Sequence, residues 1–294
     1  MLTDKPDMSF PKVRHPYHGC RAVLVTMHGK EQAVRKPFQD VLNITVNASN
    51  GIDTDLFGTF TGERPRSGTM LETALAKARL GIMQTGCRFS LASEGSYGPD
   101  PIIPYMACAH EVMVFIDAEK NIVITEQLKN LETNYASATF SCDQDPRAFL
   151  ERIGFPSHGV IVRANPPSSL LFKGITDYET LKQAIHSLKQ EQHQSGFTLS
   201  TDMRAQFNPT RMALIAQLAS QLAVRINSIC KACGTAGFGQ VGAEQGLKCE
   251  DCGSPTQQIK SRIFGCVHCD HREYRPRSDG RGAARAADCS FCNP

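Results

Sequence analysis

No apolar run in this 294-residue chain approaches the roughly 20 residues that a membrane-spanning helix needs. The first twenty residues, MLTDKPDMSFPKVRHPYHGC, hold charges and prolines but no apolar stretch of the secretory kind, so no export signal is expected there. Charge of one sign is not in excess either. Thirty-two Lys and Arg face 29 Asp and Glu, a formal net charge of +3, too little by itself to announce a nucleic-acid binder. Cysteine is sparse before residue 229. Cys20, Cys87, Cys108 and Cys142 are scattered without a pairing pattern, which argues against a disulfide framework and fits a reducing cytoplasm. What remains is ordinary globular composition, 41% hydrophobic and 21% charged, enough for one large domain or two modest ones.

The other eight cysteines form four Cys-x-x-Cys knuckles: Cys230–Cys233, Cys249–Cys252, Cys266–Cys269 and Cys289–Cys292. Each knuckle places two thiolates about one tight turn apart, suited to two corners of a tetrahedral metal. In sequence order they make two units with tetrathiolate zinc-ribbon spacing, so two structural zinc ions are expected, with iron or disulfides as alternatives. The expected sets are Cys230, Cys233, Cys249 and Cys252, then Cys266, Cys269, Cys289 and Cys292; the competitor is a cross-braced arrangement. Closed sites offer no position for water, so catalysis belongs upstream. Metal removal is expected to melt this tail and spare an upstream core of its own.

Upstream, apolar runs and periodic stripes alternate. Ala22–Met27 reads as a buried strand leading through His28-Gly29-Lys30-Glu31 into a short helix that Pro37 interrupts or restarts. Ile44–Ala48 is a second strand, and residues 52–66 a polar, glycine-punctuated loop. A helix over 69–84 carries a stripe of Leu71, Leu75, Ala78 and Ile82. Arg88–Ala92 is a strand followed by a loop over 93–99, and Val112–Asp117 with Ile122–Thr125 reads as a hairpin. Helices over 146–153 and 178–189 flank a strand at Gly159–Arg163. Asn208-Pro209 opens a last long helix, with an N-cap followed by proline at the first position. The pattern predicts an α/β fold, a mixed sheet with flanking helices, and a small C-terminal ribbon. The expected division is a flexible arm over 1–20, an α/β domain over 21–228 and a double ribbon over 229–294.

Three segments carry chemistry. The strand-to-helix turn at His28 and Lys30 offers free N–H groups and positive charge to a phosphate, with Arg35 or Lys36 nearby. Glu72 lies in a first helical turn, and Glu94 just past a buried strand, where ligands of open α/β sheets bind. Each alone is equally a dipole-favoured or solvated acid; together they are candidates to hold Mg²⁺ shared with substrate phosphates. Arg204 and Arg211 flank the capped helix start and suit an anion, unless Asp202 or other acids pair with them. His28, His110 and His158 stand at no two-ligand spacing from one another.

The run from Thr61 to Pro99 resembles the house-cleaning nucleoside-triphosphate pyrophosphatases of the inosine-triphosphatase-like fold. Thr61-Gly62, Glu72-Thr73-Ala74 with Lys77-Ala78, Thr85-Gly86 and Ser93-Glu94-Gly95 carry the likeness. His28 stands where that family usually has Asn. The resemblance implies that Lys30 holds phosphate while Glu72 and Glu94 hold metal or activate water. The whole chain resembles an uncharacterised bacterial family with a cysteine-rich C-terminal tail.

The expected function is therefore Mg²⁺-dependent hydrolysis of a nucleotide or another phosphorylated small molecule. The rival is a non-enzymatic adaptor that binds nucleic acid or protein through the ribbon, where Lys260, Arg262, Arg272, Arg275, Arg277, Arg281 and Arg285 are interspersed with Phe264 and Tyr274. Acids in the same stretch leave a plain solvated surface equally open.

Overall fold

The structure, a computed structural model, describes residues 15–49, 51–52, 68–141, 143–165, 170–190 and 196–294. Residues 1–14 of the expected arm, most of the polar loop over 52–66 with its Thr61-Gly62, and Cys142 lie outside the described residues. His15–Cys20 belong to the fold: Tyr17 is 1% exposed, with its ring against Phe89 and Phe115.

The chain begins as two parallel strand–helix–strand units. β1 (Arg21–Val25) leads into α1 (Glu31–Leu42) and β2 (Thr45–Ala48), then α2 (Met70–Thr85) leads to β3 (Phe89–Pro99). β1 pairs in parallel with β2 on one side and β3 on the other. β4 (Ala107–Asp117) and β5 (Ile122–Asn130) extend the sheet as an antiparallel meander, giving the order β2-β1-β3-β4-β5. This is a mixed sheet with flanking helices, as the alternating pattern predicts.

Two elements differ from the sequence reading. α1 runs unbroken through Pro37, because Val34, Phe38 and Leu42 bury their side chains on the sheet. Packing there outweighs one missing helical hydrogen bond. The expected loop over 93–99 is instead the second half of β3, whose 11 residues pair with β4 from Phe89↔Asp117 to Pro99↔Ala107. Its Ser, Glu and Gly residues suggest a loop locally, and the cross-strand ladder overrides them.

The stripe of α2 is also rotated. Its buried residues are Thr73, Ala74, Lys77, Ala78 and Gly81. They are small because the helix lies close to the sheet: a Cβ at Gly81 would run into Val25 and the Ser90 hydroxyl. Only Lys77 breaks this run of small side chains, and its role emerges at the site.

A second, antiparallel sheet follows: β6 (Ser137–Ser141), β7 (Val160–Asn165), β8 (Leu171–Ile175) and β9 (Gly196–Thr201), in the order β6-β9-β7-β8. α3 (Arg147–Ile153) and α4 (Tyr178–Gln190) cover one face, with Phe140, Phe149, Leu150, Val162, Leu181 and Leu199 in a core separate from the first. The chain then returns to the first sheet as α5 (Pro209–Asn227). Asn208 caps it as expected, its side chain accepting from the Arg211 N–H at 2.9 Å. α1 and α5 pack on one face of the first sheet through Phe38, Leu42, Ile215, Leu218, Leu222 and Ile226. α2 packs on the opposite face against Val25, Ala92, Val112 and Val114.

The ribbon is a three-stranded meander, β10 (Gly239–Gln245), β11 (Ile259–Gly265) and β12 (Arg272–Pro276). Among the described residues no helix is long and apolar enough to cross a membrane.

Candidate functional site

From β1 the chain reaches β2 through α1 on one face, and β3 is reached through α2 on the other. The crevice beyond the carboxyl ends of β1 and β3 is thus a topological switch point, the place where open α/β sheets bind ligands. Pairing of β1 with β3 ends at Val25↔Ala92, and β3 runs on without it. Lys30, at the amino end of α1, fills this gap. Its buried ammonium donates to the Ser93 carbonyl and to the Ser93 hydroxyl, both at 3.0 Å.

Charges gather on both faces of the half of β3 that runs beyond β1. On the α2 face, Lys77 forms an ion pair with Glu94, both buried. On the α5 face, Arg211 donates through Nε to Glu111 Oε1 at 2.7 Å and through Nη1 to the Met203 carbonyl. The Tyr97 hydroxyl donates to the same Glu111 oxygen at 2.7 Å, and the Arg211 guanidinium sits 5.2 Å from the centre of the Tyr97 ring. Glu111 faces Gly95 across the β3–β4 ladder. A Cβ at residue 95 would fall inside the Glu111 carboxylate and against Arg211, so this position requires glycine for space.

The electrostatics follow from burial. Desolvation lowers the Lys30 ammonium to a pKa of about 8, with Arg211 pushing the same way and Glu111 and Glu94 opposing. Burial alone would raise the Glu111 carboxyl, but Arg211 and Lys30 bring it below the ordinary carboxylate range. Arg211, disfavoured by burial, is held above its ordinary value by Glu111. Three cations and two carboxylates are thereby enclosed together where β3 runs past the end of its pairing with β1. Buried charge is costly unless paired, and each carboxylate here has a cation beside it.

Of the sequence-predicted residues, Lys30, Glu94 and Arg211 come together around β3. Glu72 does not join them: its carboxylate folds back as a capping box, accepting from the Thr69 N–H at 2.8 Å and the Thr69 hydroxyl at 2.9 Å. Those bonds hold it below the usual carboxylate range. Arg204 is forked onto Asp202, Nε to Oδ1 at 3.0 Å and Nη2 to Oδ2 at 2.5 Å, and lies over the Phe207 ring. His28 stands on the bend after β1, its backbone N–H donating to the Thr26 hydroxyl at 3.2 Å.

Sequence reasoning missed Lys77, Glu111, Ser93 and Tyr97 as site residues. Two of them had a signal. Lys77 lies at helical spacing from Ala74 and Gly81, and Glu111 interrupts the apolar run of β4.

The cysteines assemble two four-thiol groups, but with interleaved sets: Cys230, Cys233, Cys266 and Cys269 in one, Cys249, Cys252, Cys289 and Cys292 in the other. This corrects the sequential pairing. The meander explains it. The first knuckle precedes β10 and the third joins β11 to β12, so both lie at one end of the sheet; the second joins β10 to β11 and the fourth follows β12, at the other end. Spacing identifies a ribbon, and strand direction decides which knuckles meet. The Sγ–Sγ distances of 3.6 and 3.8 Å in one group and 3.7 and 3.9 Å in the other suit tetrahedral zinc. Zn–S bonds of about 2.3 Å imply about 3.8 Å between sulfurs. Both groups therefore fit structural zinc. Among the described residues these are the two clusters of three or more His, Cys, Asp or Glu close enough to share an ion. The two carboxylates expected to share Mg²⁺ do not meet: Glu94 is held by Lys77 and Glu72 by its own helix start.

The basic ribbon residues are largely engaged internally. Arg275 pairs with Glu273, Arg277 with Asp279, Arg285 with Asp288 and Lys260 with Glu244.

A family model described as a domain of unknown function (DUF6671) matches residues 77–294, which leaves out β1, α1 and β2. Comparison with curated proteins finds no match.

Proposed function

Since the chain belongs to the DUF6671 family, whose description names no activity, we propose its function from the site itself: it binds a nucleotide or similar phosphorylated small molecule beyond β1 and β3 and hydrolyses a phosphate bond. The observation that carries this is the enclosed group of Lys30, Lys77 and Arg211 with Glu94 and Glu111 at the switch point. The resemblance of the Thr61–Pro99 run supports the same chemistry, and we read the first sheet as the inosine-triphosphatase-like fold on that ground.

In this reading the incoming phosphate competes with Glu94 for Lys77. Lys77 and Lys30 then neutralise the phosphoryl oxygens, and the released Glu94 carboxylate takes a proton from water. The water oxygen bonds to phosphorus as the bond to the leaving oxygen breaks, its charge met by the cations. Arg211 is a positioning residue: it holds Glu111 and Tyr97 under Gly95.

Charge speaks against nucleic-acid binding by the ribbon. Residues 229–294 hold nine Lys and Arg against seven Asp and Glu. Two tetrathiolate zinc sites, each about −2 in charge, turn that excess of two into a net charge of about −2.

The test is a panel of nucleoside triphosphates, diphosphates and sugar phosphates, with and without added Mg²⁺, scored for phosphate and pyrophosphate release. Turnover of at least one nucleotide, lost when Glu94 is neutralised, supports the reading. No turnover together with no nucleotide binding in calorimetry overturns it, and binding of an oligonucleotide instead selects the adaptor.

A further inference from the structure

We infer that the two four-cysteine centres have different jobs. The centre of Cys230, Cys233, Cys266 and Cys269 is part of the α/β core, and its metal holds the carboxyl end of α5 against β5. The centre of Cys249, Cys252, Cys289 and Cys292 serves the far end of the ribbon alone.

The first centre is built into the fold by three connections. α5 ends at Asn227, and Cys230 follows after Ser228 and Ile229. Just past the first knuckle, Ala236 is 2% exposed and belongs to the same apolar cluster as Leu24, Phe115, Ile124, Leu222 and Ile226; Val267, within the third knuckle, packs against that cluster. Third, Arg225 of α5 ties the parts together. Its guanidinium donates to the Thr125 carbonyl at 2.7 Å and to Glu126 at 3.0 Å on β5, and through Nε to the Gly237 carbonyl at 3.3 Å.

The approach is close enough to constrain sequence. Gly237 has φ +97°, and a Cβ there would collide with Ile124. The upstream core is thus not independent of the metal-bound tail, contrary to the sequence expectation.

Among the described residues the second centre has no such anchor. The seven residues of β10 separate it from the first by roughly 20 Å of strand. Its backbone partners are its own neighbours: Lys248 bridges Pro255, Cys249 bridges Ala284, and the Thr256 hydroxyl donates to the Leu247 carbonyl. Among the described residues, the α/β core clusters include none from 246–258 or 277–294.

The consequence is a graded response to metal. Loss of the first ion frees Ala236 and Val267 from the core and removes the Gly237 partner of Arg225, so β5 and the last turns of α5 loosen. Loss of the second loosens only the ribbon tip.

The test uses the full chain in two variants, Cys269→Ser and Cys292→Ser, with zinc content, thermal melting and amide hydrogen exchange as readouts. Each variant is expected to hold one zinc fewer. Cys269→Ser should melt several degrees lower and exchange about tenfold faster or more in β5 and the carboxyl turns of α5. Cys292→Ser should leave both segments at wild-type protection. Failure of Cys269→Ser to fold, with Cys292→Ser folded, also supports the inference. Gly237→Ala provides an independent arm, since it keeps all eight ligands: two zincs retained with faster exchange in β5 is expected. Equal effects of the two cysteine variants, or wild-type exchange of β5 and α5 in Cys269→Ser or in Gly237→Ala, would overturn it.

Discussion

Replacing Lys30 by methionine should make the protein more stable and less functional at neutral pH. The ammonium is fully enclosed, with a pKa of about 8 against an ordinary 10.5. Keeping it charged at pH 7 therefore costs about 3 kcal/mol, since each unit is worth about 1.4 kcal/mol. Methionine removes that cost and fills nearly the same volume. It also strands the Ser93 carbonyl and hydroxyl, a loss of about 1 kcal/mol each. The balance is a gain of about 1–2 kcal/mol, or roughly 2–3 °C in melting temperature for a chain of this size. Between about 8 and 10.5 the folded state binds fewer protons at this position than the unfolded state, so wild-type stability rises with pH through that window. The advantage of Lys30→Met should therefore be full at pH 7, vanish near pH 9 and reverse by pH 10.5, where only the lost Ser93 hydrogen bonds remain. Calorimetric melts of both proteins at a series of pH values measure it, alongside phosphate-ligand titrations in which the variant should bind weakly. A variant that melts several degrees below wild type at pH 7, or an advantage independent of pH, would refute the reasoning: Lys30 would then be a keystone of the fold rather than a charge held ready for a ligand.

Glu94→Gln should abolish hydrolysis and also break the buried Lys77–Glu94 ion pair, a loss of about 3–5 kcal/mol; the double variant Lys77→Met, Glu94→Gln should regain much of the stability and none of the activity, as melting and turnover assays together would show. Arg211→Lys should lower stability by about 2–3 kcal/mol in urea unfolding, because an ammonium cannot bridge Glu111 and the Met203 carbonyl from one plane. Gly95→Ala should cost about 1–3 kcal/mol through the clash with Glu111 and reduce turnover in the same preparation.

Much of the architecture was legible because it rests on local signals. The apolar run of β1, the Asn208-Pro209 start of α5 and the four knuckles each announce themselves within a few residues. Features that depend on partners distant in sequence did not. The second half of β3 looks like a loop until β4 lies beside it, and β6, β8 and β9 are short strands laced with Ser, Thr, Lys and Gly, without a clean alternation. The site divides the same way. Lys30 sits at a turn that the sequence marks, and Glu94 at the point where the apolar run of β3 stops. Glu111 and Lys77 gain meaning only when α2 and α5 are laid on opposite faces of the sheet. Glu72 shows the converse: Thr69 three residues before it satisfies a capping box, which accounts for the acid without a ligand.

The second sheet enters and leaves the molecule at one spot. β6 and β9 are neighbours in an antiparallel ladder, and just below them the Thr201 N–H donates to the Ala136 carbonyl at 3.0 Å. The chain thus departs from β5, builds a complete layer with its own apolar core, and comes back within about one strand spacing, roughly 5 Å, of where it left. A detour with touching ends is removable in principle. A short linker bridging 136 to 201 would need to span almost nothing, and the entropy of closing so small a loop is slight.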